Sequence, residues 1–381
     1  MKILVIAPQP FYQERGTPIA IKLLTETLCE FDNEVDLLTY NEGEDVVFKN
    51  LKIIRIPSFP FLKNYKIGFS IKKILADILL FCTFTRLVVF NKYDVVHAVE
   101  ESIFFTLLYK PFLKGKIIYD MDSSLADQLA EKYKLFKGMK LFLESLEKAA
   151  IKYSDIIVIV CKALLEKVEG YYPDKPAFLL EDIAFENDKT AITENIRYIL
   201  KFDGLLALYV GNLESYQGIK LLIDGIAEVE TDIEYKVAII GGEESDINFY
   251  QKYLEQIGLT GKIKFLGKKP FNALGNYLDQ TDILLSPRLK GNNTPMKIYS
   301  YLASGKPVMA TSISSHTQIL SDDNSFLFDV TPKAFSKTFK EILENDNKRE
   351  VIGKAGQILA KEKYSIEAYK RKLKNIYNSI N

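Results

Sequence analysis

The segment 286–308, SPRLKGNNTPMKIYSYLASGKPV, contains the residues best suited to bind an anion. It continues the apolar run DILLS, so we expect a strand to end here and a loop carrying Arg288 to follow. Arg288 as a planar fork and Lys297 as a point charge would neutralise two phosphate oxygens. The competing interpretation is that the charged loop residues are only solvated.

The same segment carries the signals of a helix whose first turn faces a ligand. Thr294 is predicted to be the N-cap, Pro295 the first helical residue and Gly305 the residue that stops the helix. The free amides and the helix dipole would then converge on an anion. Every strand-loop-helix unit needs such caps, so a purely structural role is the alternative.

Four further strand ends carry candidate contact residues. Gly16 and Thr17 precede a helix that begins near Pro18, which indicates either a phosphate or sugar loop or a simple helix-entry turn. His97 ends the run DVVHAV, where it would contact a sugar or pack on the sheet. Asp122, in YDMDSS, would bind acceptor or donor hydroxyls or cap a helix starting at Ser123 or Ser124. For His316, in SSHTQIL, we favour a role in the binding cleft.

Composition excludes several classes of function. The chain has 381 residues, and its 50 basic and 50 acidic side chains cancel, so no global field would attract nucleic acid. Three separated cysteines and two histidines make a metal or haem site improbable, and we expect neither metal nor cofactor. Free buried thiols suit a reducing compartment.

The elements that must position these residues alternate between strands and helices. Runs apolar on both faces are typical of buried parallel strands: KILVIA, EVDLLTY, LKIIRI, DVVHAV, GKIIYDM and DIIVIV, then LLALYVG, YKVAIIGG, IKFLG, DILLSP and KPVMAT. This pattern predicts an α/β protein with two Rossmann-like domains facing across a cleft. We place the N-terminal domain at 1–185, a hinge at 182–204 and the C-terminal domain at 204–359. The helix 360–381 would pack back on the first domain.

The localisation expected from the sequence is cytoplasmic. MKILVIAP enters a strand without the regions of a signal peptide, and no apolar run is long enough to span a membrane. The stretch 65–90 is apolar but contains Lys72, Lys73, Asp77 and Arg86. It is interpreted as a buried core helix or as an amphipathic helix in peripheral contact with the inner face of the cell membrane.

The order of the motifs resembles glycosyltransferase family 4, which has the GT-B fold. The resemblance rests on ILVIAPQPF with RGTPIA, YDVVHA, DSSLADQ, LEKAAIKYSDIIVIV, YVGNLESYQGIKLLIDGI, PMKIYSYLASGKPV and KYSIEAYKRKL, and it covers nearly the whole chain. It implies transfer from a nucleotide-diphospho-sugar donor, retention of anomeric configuration and no required metal. It also implies base contacts by backbone groups near Gly242.

The chain departs from the family at four charged positions. Where members carry a Glu-x7-Glu pair, this sequence has Asn292 and Ser300, and where they hold the diphosphate with an Arg and a Lys, it has Asn212 and Gln217. Ser300 would hydrogen-bond a ribose hydroxyl, and Asn292 with its neighbour Asn293 would bind sugar hydroxyls without charge. We expect Arg288 and Lys297, as the catalytic cations, to supply the charge that Asn212 and Gln217 lack.

The expected function is therefore glycosyl transfer to the hydroxyl of a glycan or a lipid-linked acceptor. The alternatives are a catalytically degenerate protein that binds a sugar nucleotide or glycan, favoured by the neutral replacements, and a nucleotide-sugar epimerase. The epimerase is ranked last because neither histidine lies in a run of carboxylates.

Overall fold

The computed structural model of the protein describes residues 1–13, 16–60, 62–63, 70–132, 138–184 and 194–380. The chain divides into two units, the first comprising Met1–Glu181 and Lys372–Asn381, and the second Asp182–Arg371. The second unit therefore starts at the beginning of the segment 182–204 assigned to the hinge. The other division falls inside the last helix.

The first unit contains a seven-stranded parallel sheet in the order β3-β2-β1-β4-β5-β6-β7. Its strands are β1 (Lys2–Ala7), β2 (Glu34–Thr39), β3 (Leu51–Arg55), β4 (Val95–Val99), β5 (Lys116–Met121), β6 (Ile156–Ile159) and β7 (Ala177–Leu179). Its helices are α1 (Gly16–Glu30), α2 (Ile71–Phe90), α3 (Ser102–Leu108), α4 (Leu125–Lys132), α5 (Lys140–Tyr153) and α6 (Lys162–Tyr171), with a 3₁₀ turn at Lys110–Phe112.

The second unit contains a six-stranded parallel sheet in the order β10-β9-β8-β11-β12-β13. Its strands are β8 (Leu205–Val210), β9 (Tyr235–Ile240), β10 (Ile263–Gly267), β11 (Ile283–Ser286), β12 (Val308–Thr311) and β13 (Phe326–Phe328). Its helices are α7 (Ile196–Leu200), α8 (Ile219–Ala227), α9 (Glu244–Gln256), α10 (Leu274–Asp279), α11 (Met296–Ala303), α12 (Ser314–Thr317), α13 (Pro332–Glu344) and α14 (Asp346–Lys363). The last helix, α15 (Ile366–Asn378), continues from this unit into the first.

Every apolar run predicted to be a strand is one, and the α/β class is confirmed. The physical reason is visible in β8, where Leu206 and Leu208 pack into one core cluster while Ala207 and Tyr209 pack into another. A strand covered on both faces must be apolar at every position. The short edge strands β7 and β13 were missed, because three residues carry too little pattern.

In each sheet the direction in which successive strands are added reverses once. Ligands of such open α/β sheets bind at this switch point. Strands β1 to β3 are added towards one edge of the first sheet and strands β4 to β7 towards the other edge. In the second sheet the same switch lies between β8 and β11. The loops that leave the carboxyl ends of β8 and β11 therefore diverge and leave a crevice between them.

Candidate functional site

The loops that follow β8 and β11 are joined directly beside this crevice. The amide of Leu289 donates to the carbonyl of Tyr216 at 2.8 Å. Gly218 adopts φ +76°, and a Cβ at that position would lie 1.9 Å from the carbonyl oxygen of Pro287. Only glycine allows both this conformation and this approach, so Gly218 fixes one loop against the other.

Arg288 lies in the second of these loops, and its guanidinium is held by its own segment. Its Nε donates to the carbonyl of Lys290 at 2.8 Å and its Nη1 to that of Asn293 at 3.1 Å. The guanidinium carbon lies 5.4 Å from the centroid of the Tyr216 ring, above the loop after β8. Burial lowers the pKa of Arg288 from its ordinary value. A folded loop therefore presents a preorganised, partly desolvated cation.

Lys297 reaches the same place from the first turn of α11. Its Nζ donates to the carbonyl of Val210, the last residue of β8, at 3.0 Å and lies 3.9 Å from the centroid of the Tyr209 ring. Burial, and secondarily the charge of Arg288, lower its pKa well below the ordinary value. Among the described residues, no carboxylate is one of the groups that shift the pKa of either cation. Two like charges in a desolvated place without an acid are arranged for an anionic ligand.

The two neutral replacements after β8 border these cations. Asn212 is exposed, and its Oδ1 accepts the amide of Glu214 at 3.4 Å. Gln217 is half-buried, and its buried Oε1 has no hydrogen-bond partner among the described residues. A buried amide oxygen without a donor is costly, so the end of the Gln217 side chain is available for a hydrogen-bonding ligand.

The predicted cap of α11 is wrong in one respect. Pro295 occupies the N-cap with an extended backbone (φ −63°, ψ 131°), and the helix starts at Met296, one residue later than expected. Since proline has no side-chain acceptor, no side chain caps the first amides. The hydroxyl of Thr294 does not cap them either: it is buried and has no partner in the described structure. The predicted stop is confirmed, because Gly305 follows the helix at φ +73°.

The remaining candidates of this segment divide between exposed and buried positions. Asn292 is exposed, and its carbonyl accepts Gln318 Nε2 at 2.7 Å. Asn293 is half-buried, and its carbonyl holds Arg288. Ser300, on the inner side of α11, is only 6% exposed. The backbone of both asparagines thus shapes the loop, whatever their side chains bind.

Glycines line the neighbouring strand end. Gly242 follows β9 at φ +86°, and a Cβ there would lie 2.4 Å from the side chain of Leu213. The adjacent Gly241 adopts φ +110°, and a Cβ on it would lie 2.1 Å from the carbonyl oxygen of Gly211. The chain after β9 therefore packs directly on the chain after β8, with backbone rather than side chains at this edge.

The side chain of His316 is buried at the same edge of the sheet and hydrogen-bonds to the residues around it. Its side chain is fully buried; Nδ1 faces the carbonyl of Thr311 at 2.9 Å and Nε2 faces Ser286 Oγ at 3.0 Å. Burial lowers its pKa to about 3. The neutral ring links the ends of β11 and β12, so the structure gives it a positioning role where we had favoured ligand contact.

In the first unit, His97 is likewise enclosed. The ring is fully buried, with Nδ1 2.9 Å from Tyr377 Oη and Nε2 3.0 Å from Asp120 Oδ2. Of the two roles left open for it, the structure shows the packed one. Since Tyr377 belongs to α15, the histidine also ties the C-terminal segment to this unit.

Asp122 and the start of α1 complete the predicted set. Asp122 is half-buried, and the serine that caps α4 is Ser124, whose Oγ accepts the amide of Asp127 at 3.3 Å. The capping role considered for Asp122 therefore belongs to its neighbour. Gly16 is exposed and Thr17 half-buried in the first turn of α1, while residues 14–15 of the same loop lie outside the described residues.

One group that the sequence reading did not select is Glu100. It follows β4 with a left-handed backbone, φ +52°, which is uncommon for a residue with a side chain. Ser123 Oγ lies 3.0 Å from both of its carboxyl oxygens, and burial raises its pKa to about 7. Next to it, Glu101 is paired with Lys73 of α2. The signal available in the sequence was the pair of glutamates directly after a strand.

No group of three or more His, Cys, Asp or Glu side chains in the described ranges is arranged to hold a metal ion. No described helix is both long enough and apolar enough to cross a membrane.

Two doubly wound parallel units are the architecture of the GT-B fold. Residues 192–358 match the family model for glycosyl transferases group 1. The chain is 23% identical over 360 residues to an uncharacterised glycosyltransferase of Methanocaldococcus jannaschii, covering 89% of this chain and 88% of that protein.

Solved structures with little sequence identity share the whole fold. Sucrose-phosphate synthase from Thermosynechococcus elongatus superposes with a TM-score of 0.79 at 16% identity, covering 100% of this chain and 98% of that one. HepE from Anabaena, solved in complex with UDP, gives a TM-score of 0.74 at 13% identity and covers 100% of both chains. The resemblance to family 4 and the GT-B fold are confirmed.

Proposed function

We propose that the protein transfers a sugar from a nucleotide-diphospho-sugar to a hydroxyl of a glycan or a lipid-linked acceptor, with retention of configuration and without a metal ion. The second unit would hold the donor and the first unit the acceptor. Retention and metal independence rest on the resemblance to family 4. The observation that carries the proposal is the pair Arg288 and Lys297, cations from two elements that meet without a carboxylate.

The chemistry of the proposed step requires such a pair. When the bond between sugar and diphosphate breaks, negative charge accumulates on the leaving phosphate oxygens. Cations already fixed in a partly desolvated place stabilise that charge without reorganising. Arg288 is fixed by two carbonyls of its own loop, and Lys297 by the carbonyl of Val210.

Hydrogen-bonding groups around the cations support donor binding. The unpartnered Oε1 of Gln217, the unpartnered hydroxyl of Thr294 and the uncapped first turn of α11 surround the same loops. The hydroxyl and the amides can donate to phosphate or sugar oxygens. UDP is a suitable first probe, because HepE was solved with UDP.

A catalytically degenerate binding protein is the second candidate, because Asn212, Gln217, Asn292 and Ser300 carry no charge. Nucleotide release is measured with UDP-, GDP- and ADP-sugars, each with and without glycan and lipid-linked acceptors. Release that depends on one acceptor, with sugar recovered on it in the donor's anomeric configuration, supports the proposal. Tight nucleotide binding without release from any donor would establish the binding protein instead.

The proposed location is the cytoplasm, with peripheral contact at the inner face of the cell membrane. This contact would bring a lipid-linked acceptor within reach of the first unit.

A further inference from the structure

Helix α2 is apolar on the side that the core does not cover. Ala76, Leu80, Phe84 and Leu87 are buried in the core of the first unit. The opposite side presents Ile71, Leu75, Ile78 and Val89, with exposures of 77%, 40%, 52% and 63%. Their spacing of four, three and eleven residues keeps them on one stripe of a helix. Residues 65–69 of the segment 65–90 lie outside the described residues, and for α2 the interpretation as a core helix explains only one of its two apolar faces.

Two further helices extend this exposed surface. The crossovers from β3 to β4, β4 to β5 and β5 to β6 all run in one direction along the sheet, so right-handed connections place α2, α3 and α5 on the same side. Phe81 and Phe84 of α2 contact Phe105 and Tyr109 of α3, and α3 also packs against α5. The three helices thus form one layer.

Exposed apolar side chains lie on the outward side of α2, of α3 with the 3₁₀ turn that follows it, and of α5. We call the following residues the apolar face: Ile71, Leu75, Ile78, Val89, Leu108, Phe112, Leu141, Phe142 and Leu146. On α5 they lie opposite the buried Glu147, Ala150 and Ile151. Many large apolar side chains exposed to water on one layer indicate a surface that binds something else.

The charges among these side chains indicate the partner. α2 carries Lys72, Lys73 and Arg86 against one acid, Asp77, which gives 3 − 1 = +2. Asp77 is half-buried and accepts a hydrogen bond from Tyr40, while Lys72 and Arg86 are exposed beside the apolar stripe. In α5, Glu144 pairs with Lys140, and Glu147 is buried with Lys167. A chain with no net charge therefore presents cations together with apolar side chains on this layer.

We propose that the apolar face docks on the surface of an anionic lipid bilayer, with α2 lying in the interface. A helix of 20 residues is about 30 Å long, and its apolar stripe would enter the boundary between head groups and acyl chains while Lys72 and Arg86 contact lipid phosphates. This inference deepens the proposed membrane contact and rests on the proposed function only for its purpose, access to a lipid-linked acceptor.

The test is flotation of the full chain with vesicles of phosphatidylglycerol and phosphatidylcholine in equal parts, and with phosphatidylcholine alone. We expect binding to the anionic vesicles that weakens with added salt. Ile78→Glu and Phe142→Glu should each lower the partition coefficient about tenfold or more, since each removes a large apolar contact and adds a repelled charge. The matched control is Phe249→Glu, which changes a phenylalanine that is 67% exposed in the second unit and should leave binding unchanged.

Three results would overturn the proposal. The first is no flotation with anionic vesicles at low salt, and the second is an equal loss in Phe249→Glu. The third is self-association in sedimentation velocity that the Ile78 and Phe142 variants abolish, which would assign the apolar face to a second copy. Nucleotide release with a soluble acceptor in the absence of vesicles is measured on the same variants, so that failure of docking and failure of transfer are distinguishable.

Discussion

Replacing Lys297 by methionine tests whether this ammonium group holds the donor diphosphate. Methionine keeps most of the length of the side chain and removes the charge. Of the three N–H groups of Lys297, one is directed at the carbonyl of Val210, and the described chain offers no other acceptor. Two donors thus remain for phosphate oxygens.

The expected loss in affinity is that of one charge-assisted hydrogen bond, made by either of these two donors. A hydrogen bond to a charged group contributes about 1.5 to 3 kcal/mol, and about 1.4 kcal/mol corresponds to a factor of ten. Lys297→Met should therefore weaken UDP binding by roughly tenfold to 150-fold. Because burial lowers the pKa of Lys297, the free protein holds this proton weakly, and a bound diphosphate raises that pKa again. Donor binding should then take up a proton in the wild type.

Isothermal titration of UDP gives both quantities. Buffers with different ionisation enthalpies report the proton uptake, above the pH at which the nucleotide phosphate itself titrates. Lys290→Met is the matched control, since Lys290 is exposed in the same loop and should change affinity by less than about fivefold. Equal UDP affinity in Lys297→Met and Lys290→Met would refute the assignment, and a wild-type enthalpy independent of the buffer would refute the proton linkage.

Two other predictions concern residues that stabilise each unit, Glu100 in the first and Gly218 in the second. In Glu100→Gln the amide imitates the protonated acid. The pKa of Glu100 is about 7 in the folded chain against 4.5 for an ordinary Glu, so the wild type should lose on the order of 2 kcal/mol of unfolding free energy relative to the variant between about pH 5 and about pH 8. Melting temperatures of the two proteins that stay parallel across that range would contradict this. Gly218→Ala should destabilise the protein by about 2 to 4 kcal/mol in thermal unfolding and weaken UDP binding, because the new Cβ meets the carbonyl oxygen of Pro287. Gly258→Ala, at φ +71° with nothing within 4 Å, isolates the backbone cost of about 1 to 2 kcal/mol, and an equal effect of both variants would show that the two loops are not locked together.

The fold was predictable because its determinants are local. Buried parallel strands need apolar residues on both faces, and this leaves a pattern in four to six consecutive letters, as in Ile156–Ile159. The stop of α11 was predictable for the same reason, since Gly305 adopts a conformation that few other residues accept.

The parts that sequence could not supply depend on contacts between distant residues. His316 and His97 have the same side chain as a ligand-binding histidine, and only the positions of Ser286 and Tyr377 show that both rings are enclosed. Burial raises the pKa of Glu100 despite its hydrogen bond to Ser123, and both depend on residues distant in the chain, Ser123 being 23 residues away. The predicted N-cap of α11 was wrong by one residue, because the exact start of the helix decides whether Thr294 or Pro295 faces the first amides.

Two of the four neutral replacements, Asn212 and Gln217, gain a physical explanation from where the two cations end. Lys297 belongs to α11, yet its ammonium touches Val210, two residues before Asn212. Arg288 belongs to the loop after β11, yet its guanidinium lies over Tyr216, the residue before Gln217. An Arg and a Lys placed at Asn212 and Gln217 would add charge beside cations whose pKa values are already lowered by burial. Neutral residues at these two positions are therefore compatible with the proposed donor site, whose positive charge would enter from the neighbouring strand end.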